Sequence, residues 1–264
     1  MVNFTKMHGL GNDFVIIHQD ELPKNYDLQN LSIKVANRHT GIGCDQVIFY
    51  QKKTDYYEIV IYNQDGSSAK LCGNASRCLA KLIYMNTSEQ EIKLKVGSKE
   101  LLCKVLSENE ISVNVGVVEF NKGWMPAVET MWPIAELYMI NLKEIICADV
   151  GNPHLVIFSN VSDQDKEIVG EKLQDIFPDG VNVNFASVRN NKIYLSVWER
   201  GAGLTLACGS GACASFASAI KLGFITGDCE VVFKLGSLKM SKNGEEIIMT
   251  GAASLVAYGE FLYD

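Results

Sequence analysis

Residues 71–78 read LCGNASRC and run on into the apolar LAKLIY, and residues 206–220 read LACGSGACASFASAI. Both stretches put Cys-Gly, at Cys72–Gly73 and Cys208–Gly209, ahead of small and polar residues and then an apolar run. Each therefore reads as a helix that begins at a thiol. A helix N-terminus carries unpaired N–H groups and a partial positive charge. A cysteine placed there is expected to have a lowered pKa, and an anionic group can rest on the neighbouring N–H groups. The glycine after each thiol lets a small molecule approach the backbone. Two such starts facing one molecule would take a proton from one face of a carbon and return one to the other, which inverts a stereocentre.

The flanking sequence repeats too. GNDFVIIH begins at Gly11 and GNPHLVIF at Gly151; YEIVIYNQDG precedes the first Cys-Gly and KIYLSVWERG the second. Strand, polar loop, Cys-Gly and helix recur in one order at a nearly constant offset, so the chain reads as two homologous halves. Other segments rich in Val, Ile and aromatics and bounded by Gly, Asn and Asp, such as QVIFY, EIKLKV, EISVNV, VNVNFASV and CEVVFKL, read as strands. LQNLSIKVANRH spaces Leu28, Leu31, Val35 and Ala36 as a helix does, and SDQDKEIVGEKLQDIF offers Ser162 as an N-cap. The expected architecture is α+β: two pseudo-symmetric lobes, residues 1–117 and 118–253, with the site in a cleft between them and one helix start from each lobe.

The bulk properties narrow the function. The formal charge of −7 argues against nucleic acid or an anionic membrane surface as the main partner. No stretch approaches the roughly 18 unbroken apolar residues of a membrane span. MVNFTKMHGLGNDF lacks the apolar segment of a signal peptide. The expected compartment is the cytoplasm, where thiols stay reduced. The spacings C-x5-C and C-x4-C are not those of common structural zinc sites, and no metal is expected. Cys78 and Cys213 are turned by about 240° and 140° from the thiols that precede them and are expected to pack inside. The same holds for Cys103, Cys147 and Cys229 in apolar strands; Cys44, in GIGCDQ, has no clear place.

Magnitude limits what a helix start can do. A free thiol titrates near about 8.5, and a helix end moves it by about one unit. A Cα–H is a far weaker acid, so the carbanion also needs donors in a dry site.

KMHGLGNDF, ANRHTGIGCDQ, DGSSAKLCGN, GNPH, VNVNF, ERGAG and ACGSGACA occur in this order along the chain. With them the sequence resembles the diaminopimelate epimerases, a cofactor-independent racemase and epimerase family, over essentially its whole length. The resemblance implies interconversion of LL- and meso-diaminopimelate, in lysine and peptidoglycan precursor biosynthesis, with Cys72 and Cys208 as the proton-transferring thiols. It implies that Gly73, Asn74, Gly209 and Ser210 hold the carboxylate beside the reacting carbon. Asn12, Gln46, Asn63, Asn152 and Asn182 would be substrate-binding amides, Glu199 and Arg200 would recognise the ionic groups, and His154 would lie near the thiols. Catalytic roles fall to Cys72, Cys208, His154 and Glu199. The resemblance further implies a mixed sheet curled around a central helix in each lobe, a last strand (about 254–264) returning to the first lobe, a homodimer, and no cofactor.

Two positions depart from the family pattern: Ala75, where CGNG is frequent, and Leu204, where ERGxGET carries an acid. They bear on substrate identity more than on reaction type, so a racemase of another amino acid, such as histidine, is the alternative. A non-enzymatic amino-acid-binding or redox protein would need no paired thiols. Cys72→Ala and Cys208→Ala should each abolish epimerisation with the fold intact, while Cys78→Ala keeps most activity. Near wild-type turnover by Cys72→Ala would exclude the two-thiol reading.

Overall fold

A computed structural model describes residues 1–69 and 73–262. The chain divides into two compact units, Met1–Asn114 with Thr250–Asp264, and Val115–Met249. It begins with β1 (Val2–Gly9), β2 (Asn12–His18), α1 (Leu28–Ala36), β3 (Gln46–Lys52), β4 (Tyr57–Asn63), β5 (Ser68–Ala69), α2 (Gly73–Thr87), β6 (Glu91–Val96), β7 (Lys99–Ser107) and β8 (Glu110–Val117). There follow α3 (Trp132–Leu137), β9 (Ile145–Asp149), β10 (Pro153–Ile157), α4 (Asp163–Leu173), β11 (Asn182–Arg189), β12 (Lys192–Glu199) and β13 (Gly203–Thr205). The chain closes with α5 (Gly209–Lys221), β14 (Cys229–Phe233), β15 (Gly236–Asn243), β16 (Glu246–Gly251) and β17 (Ser254–Phe261).

The two units share one pairing scheme. In the first, β1 is antiparallel to β2, β2 parallel to β3, β3 antiparallel to β4, β4 parallel to β6 and β6 antiparallel to β7. In the second, β9, β10, β11, β12, β14 and β15 repeat those relations in that order. Parallel neighbours need a crossover, and α1 and α4 supply the first, α2 and α5 the second. Short β5 and β13 add antiparallel to β4 and β12 just before the second helix. The registers set equivalent residues: Phe14 opposes Gln46 as His154 opposes Asn182, and Ile16 opposes Ile48 as Val156 opposes Asn184.

The second crossover helix is the centre of each unit. In α2 every residue from Asn74 to Ile83 is buried, and in α5 every residue from Gly211 to Ala219. A helix buried around its circumference has no solvent face. α2 packs on β1, β2, β6 and β7, and α5 on β9, β10, β11, β12, β14 and β15. The first crossover helix covers the outside. Leu31, Val35 and Ala36 of α1 join Val15, Ile17, Val47 and Phe49; Val169 and Leu173 of α4 join Leu155, Ile157, Val183 and Phe185. β2 and β10 are thus buried on both faces, as their unbroken apolar runs require. Ser162 Oγ accepts from Asp165 N at 3.2 Å, capping α4 as its sequence anticipates. No helix among the described residues is long and apolar enough to cross a membrane.

α4 is fitted to β12 at one point. A Cβ on Gly170 would lie 2.4 Å from Trp198 Cγ and 2.6 Å from Cδ1. Ala in place of Gly inside a helix gains roughly 0.5–1 kcal/mol in propensity, whereas overpacking costs about 1–3 kcal/mol. Gly170→Ala should therefore lower the urea midpoint despite its better helix propensity, with the m-value unchanged.

Candidate active site

In the first unit, the segments that carry the expected site residues are tied by charge. Asp13 and Asp45 cross-bond, each carboxylate accepting from the other's backbone N–H at 2.9 and 3.1 Å. Arg38 bridges both, at 2.8 Å to Asp13 and 2.7 Å to Asp45, and Lys6 lies 3.0 Å from Asp13. Burial pushes the Asp13 carboxyl up, but the bonds from Arg38 and Lys6 outweigh it and hold the group below the usual carboxylate range. Hung on this network, Asn12 donates to Asp45 Oδ2 at 2.9 Å and accepts from Asn74 Nδ2 at 3.3 Å. Arg77, fully buried in α2, donates to Asn74 Oδ1 at 2.8 Å. Gln46 donates to its cross-strand partner Asn63 at 2.9 Å, and Asn63 to Ser67 at 3.0 Å. Gln46 Oε1 is buried without a hydrogen-bond partner among the described residues. Gly73 opens α2, and Ala75 is buried inside it in ordinary helix. Cys72 lies outside the described residues.

The second unit assembles a cluster around Cys208. This residue is the N-cap of α5, with extended backbone, and its Sγ accepts from Gly211 N at 3.4 Å. Ser210 Oγ lies 3.4 Å from the sulfur and 3.0 Å from His154 Nε2, and Asn152 Nδ2 reaches it at 3.5 Å. On the far side of the imidazole, Asn184 Nδ2 lies 3.0 Å from His154 Nδ1. Asn182 donates to the Pro153 carbonyl at 2.9 Å and accepts from Arg200 N at 3.1 Å. Glu199, at the end of β12, accepts from Thr205 Oγ1 at 2.5 Å. The exposed Arg200 guanidinium donates to the Asp179 carbonyl. That approach requires Gly180, which has φ +69° and where a Cβ would meet Arg200 Cδ at 2.6 Å.

The structure thus brings Asn152, His154, Asn182, Glu199, Arg200, Cys208, Gly209 and Ser210 into one neighbourhood, with His154 reaching the thiol through Ser210. Sequence reasoning missed Asn184 and Thr205, and the Asp13–Asp45–Arg38 tie. In VNVNF, the two-residue step from Asn182 to Asn184 is the signal that both side chains lie on one face of the strand.

The electrostatics reverse one expectation. Burial pushes the Cys208 thiol well above its ordinary value, and the Glu199 charge pushes it further; the bonds from Ser210 and Gly211 pull the other way without winning. The helix-start effect is worth about one unit at most, less than desolvation can impose. Burial also pushes Cys44, Cys103 and Cys147 up to about 12, and Cys229 up to about 11. Cys44 belongs to the core cluster of α1, β2 and β3, and Cys78 and Cys213 are fully buried. Among the described residues, no three His, Cys, Asp or Glu side chains gather as metal ligands.

The family model described as diaminopimelate epimerase matches residues 4–121 and 146–256. A diaminopimelate epimerase of Rickettsia felis is 64% identical over 262 residues, covering 98% of this chain and 97% of that one. One of Rickettsia bellii is 65% identical over the same shares. Among solved structures, a predicted epimerase of Pseudomonas aeruginosa superposes with a TM-score of 0.78 at 14% identity, covering 100% of both chains. A hydroxyproline epimerase of Agrobacterium vitis, with trans-4-hydroxy-L-proline bound, gives 0.69 at 11% identity, covering 98% of this chain and 90% of that one. These two likenesses establish a shared fold.

His154 gives the site a pH signature. Burial lowers its pKa from 6.5 to about 4. The unfolded chain therefore binds the extra proton between those values, and stability falls as pH drops from the upper to the lower. Between pH 7 and 5 this amounts to about 2 kcal/mol at about 1.4 kcal/mol per unit. Urea unfolding of wild type and His154→Gln at both pH values should show the wild type losing more by about that amount. Equal losses would mean that His154 is not held neutral in the fold.

Proposed function

Because the chain belongs to the diaminopimelate epimerase family, we propose that it is an isomerase that interconverts LL- and meso-diaminopimelate, in lysine and peptidoglycan precursor biosynthesis. The observation that carries the mechanism is the thiol at the start of α5, set between a carboxylate and a hydroxyl. Cys208 and Cys72 act as the two proton carriers, one on each face of Cα. At neutral pH a thiol with a raised pKa is protonated and ready to donate. Once it has given up its proton, the thiolate is a correspondingly stronger base, which narrows the gap to the weakly acidic Cα–H. Glu199 supports that by raising the sulfur's proton affinity.

The carboxylate beside Cα rests on the backbone N–H groups of Gly209 and Ser210 at one helix start and of Gly73 and Asn74 at the other, where a helix N-terminus favours an anion. Asn12, Gln46, Asn63, Asn152 and Asn182 supply neutral donors and acceptors that do not titrate. Gln46 Oε1 already has an unused acceptor site. Arg200, exposed and held on one side by the Asp179 carbonyl, offers its fork to the distal carboxylate. Glu199 is within the same hairpin for the ammonium. His154 acts as a neutral donor to Ser210. The thiols and these donors account for the proton transfers with no cofactor. The protein works in the cytoplasm as a homodimer.

Cα–H exchange in deuterated water tests the reaction. LL-diaminopimelate should exchange and epimerise, while histidine, lysine and glutamate, which lack the distal amino-acid end, should be slower by roughly a hundredfold or more in kcat/KM. Arg200→Lys should cost a similar factor, since an ammonium does not reproduce the fork. A wild-type preference for histidine would replace this reading with a racemase of that amino acid.

A further inference from the structure

We propose that Asn184 is a positioning residue that fixes the tautomer of His154 and thereby aims the Ser210 hydroxyl proton at the Cys208 sulfur. This rests on the reading that Cys208 is a reacting thiol. Asn184 is fully buried, and its Nδ2 lies 3.1 Å from the Leu155 carbonyl and 3.4 Å from the Asn182 carbonyl. Both are acceptors, so the N–H side of the amide must face them. That same nitrogen lies 3.0 Å from His154 Nδ1; its two hydrogens go to the nearer pair, the Leu155 carbonyl and Nδ1, and an amide nitrogen does not accept, so Nδ1 accepts and the ring hydrogen sits on Nε2. Nε2–H then donates to Ser210 Oγ at 3.0 Å, and Asn152 Nδ2 also approaches that oxygen. With its lone pairs used, Ser210 turns its own hydrogen to the sulfur at 3.4 Å. The opposite tautomer would make Nε2 an acceptor and draw the hydroxyl hydrogen away from Cys208.

The repeat shows that the fold itself does not ask for this polar pair. The registers of the first unit put Phe14 at the place of His154 and Ile48 at the place of Asn184, both fully buried. An apolar pair therefore satisfies the same scaffold. In the second unit the polar pair even carries a penalty, because Asn184 Oδ1 is buried with no hydrogen-bond partner among the described residues. The same atom abuts the helix start: a Cβ on Gly211 would lie 2.6 Å from it. The charged groups that act on the chain are Glu199 on Cys208, and Asp149 and Arg200 on His154. Glu199 and Ser210 oppose each other at the sulfur, the first raising and the second lowering its pKa. Asn184 thus sets how strongly the second of these acts.

The test uses the full chain with Asn184→Asp, Asn184→Leu and Ser210→Ala. ¹⁵N-histidine-labelled wild type should show His154 as the Nε2–H tautomer, its signal assigned by loss in His154→Gln. A carboxylate at position 184 accepts from Nδ1–H, so Asn184→Asp should move the ring to the Nδ1–H form, which takes the hydrogen off Nε2 and leaves that nitrogen an acceptor toward Ser210. The pH midpoint of Cys208 alkylation by iodoacetamide, read by peptide mass spectrometry, should then rise by about one unit. kcat should fall about tenfold with KM within about twofold. Ser210→Ala should raise the midpoint by itself and add nothing further in the Asn184→Asp background. Asn184→Leu, which copies the first unit, carries the alkylation and kinetic readouts if the aspartate variant does not fold. An Nδ1–H tautomer in wild type, or an alkylation midpoint unmoved by both position-184 variants, overturns the proposal. Because tautomer and alkylation are read without substrate, they separate this failure from failure of wild type to exchange Cα–H.

Discussion

Each unit is organised by a helix that its own strands enclose. Such a helix has no solvent face, so a polar group along it that finds no internal partner costs free energy. α5 is built mostly from Gly, Ala, Ser and Cys, whose small side chains let the surrounding strands approach, and it leaves Ser215 Oγ and Ser218 Oγ buried with no hydrogen-bond partner among the described residues. α2 is built differently. Arg77 and Lys81 are buried, and they reach the carbonyls of Ala252 and Ala253 at 3.4 and 2.8 Å as well as Asn74. The first turn of each helix has N–H groups with no helical partner. Chemistry settles there: at the start of α5 a thiol, a hydroxyl and an imidazole are within hydrogen-bond reach of one another in series.

The duplicated scaffold carries unequal chemistry. Gln46 and Asn63, paired across β3 and β4, stand where the second unit has Asn182 and Glu199. One pair is neutral; the other brings a carboxylate to the neighbourhood of a thiol. Phe14 and Ile48 make an apolar contact surface where His154 and Asn184 make a polar one. The units share pairing order, crossover helices and register, and differ where a side chain titrates. Nothing in such a scheme requires the two thiols of the proposed mechanism to be equivalent.

How far the sequence reveals this depends on how locally each feature is encoded. The paired Cys-Gly segments, the Ser162 cap and the Leu31–Val35–Ala36 stripe are local signals, and α1, α4 and α5 follow them. β1, β7, β9 and β15 did not stand out, and β17 was expected only from the family resemblance, not from its own residues. β17 is exposed or half-buried along its described length, so burial gives it no clean alternation, and β1 carries Thr5 and Lys6 among its apolar residues. Such strands are defined by partners distant in sequence. In the site, the amides and the Glu199–Arg200 pair were visible as motif residues. The thiol's proton affinity was not, because desolvation is a property of the closed fold while the helix-end effect can be read from a tripeptide. Asn184 stayed hidden for a related reason: its importance lies in three atoms contributed by β10 and β11 together.

The contact of Arg77 and Lys81 with Ala252 and Ala253 also bears on how the protein is made. These pairs are separated by 175 and 172 residues, and β17, just beyond them, pairs with β1. The second unit, by contrast, is one continuous stretch, Val115–Met249. During synthesis the half that leaves the ribosome first must wait, without the Ala252 and Ala253 carbonyls that Arg77 and Lys81 reach and without β17 on β1, until residues 250–261 emerge. The half made later has everything it needs beforehand. Birth order and completion order are therefore opposite in this chain, and its earliest segment is the one most exposed to chaperones, proteases and mispairing while translation runs.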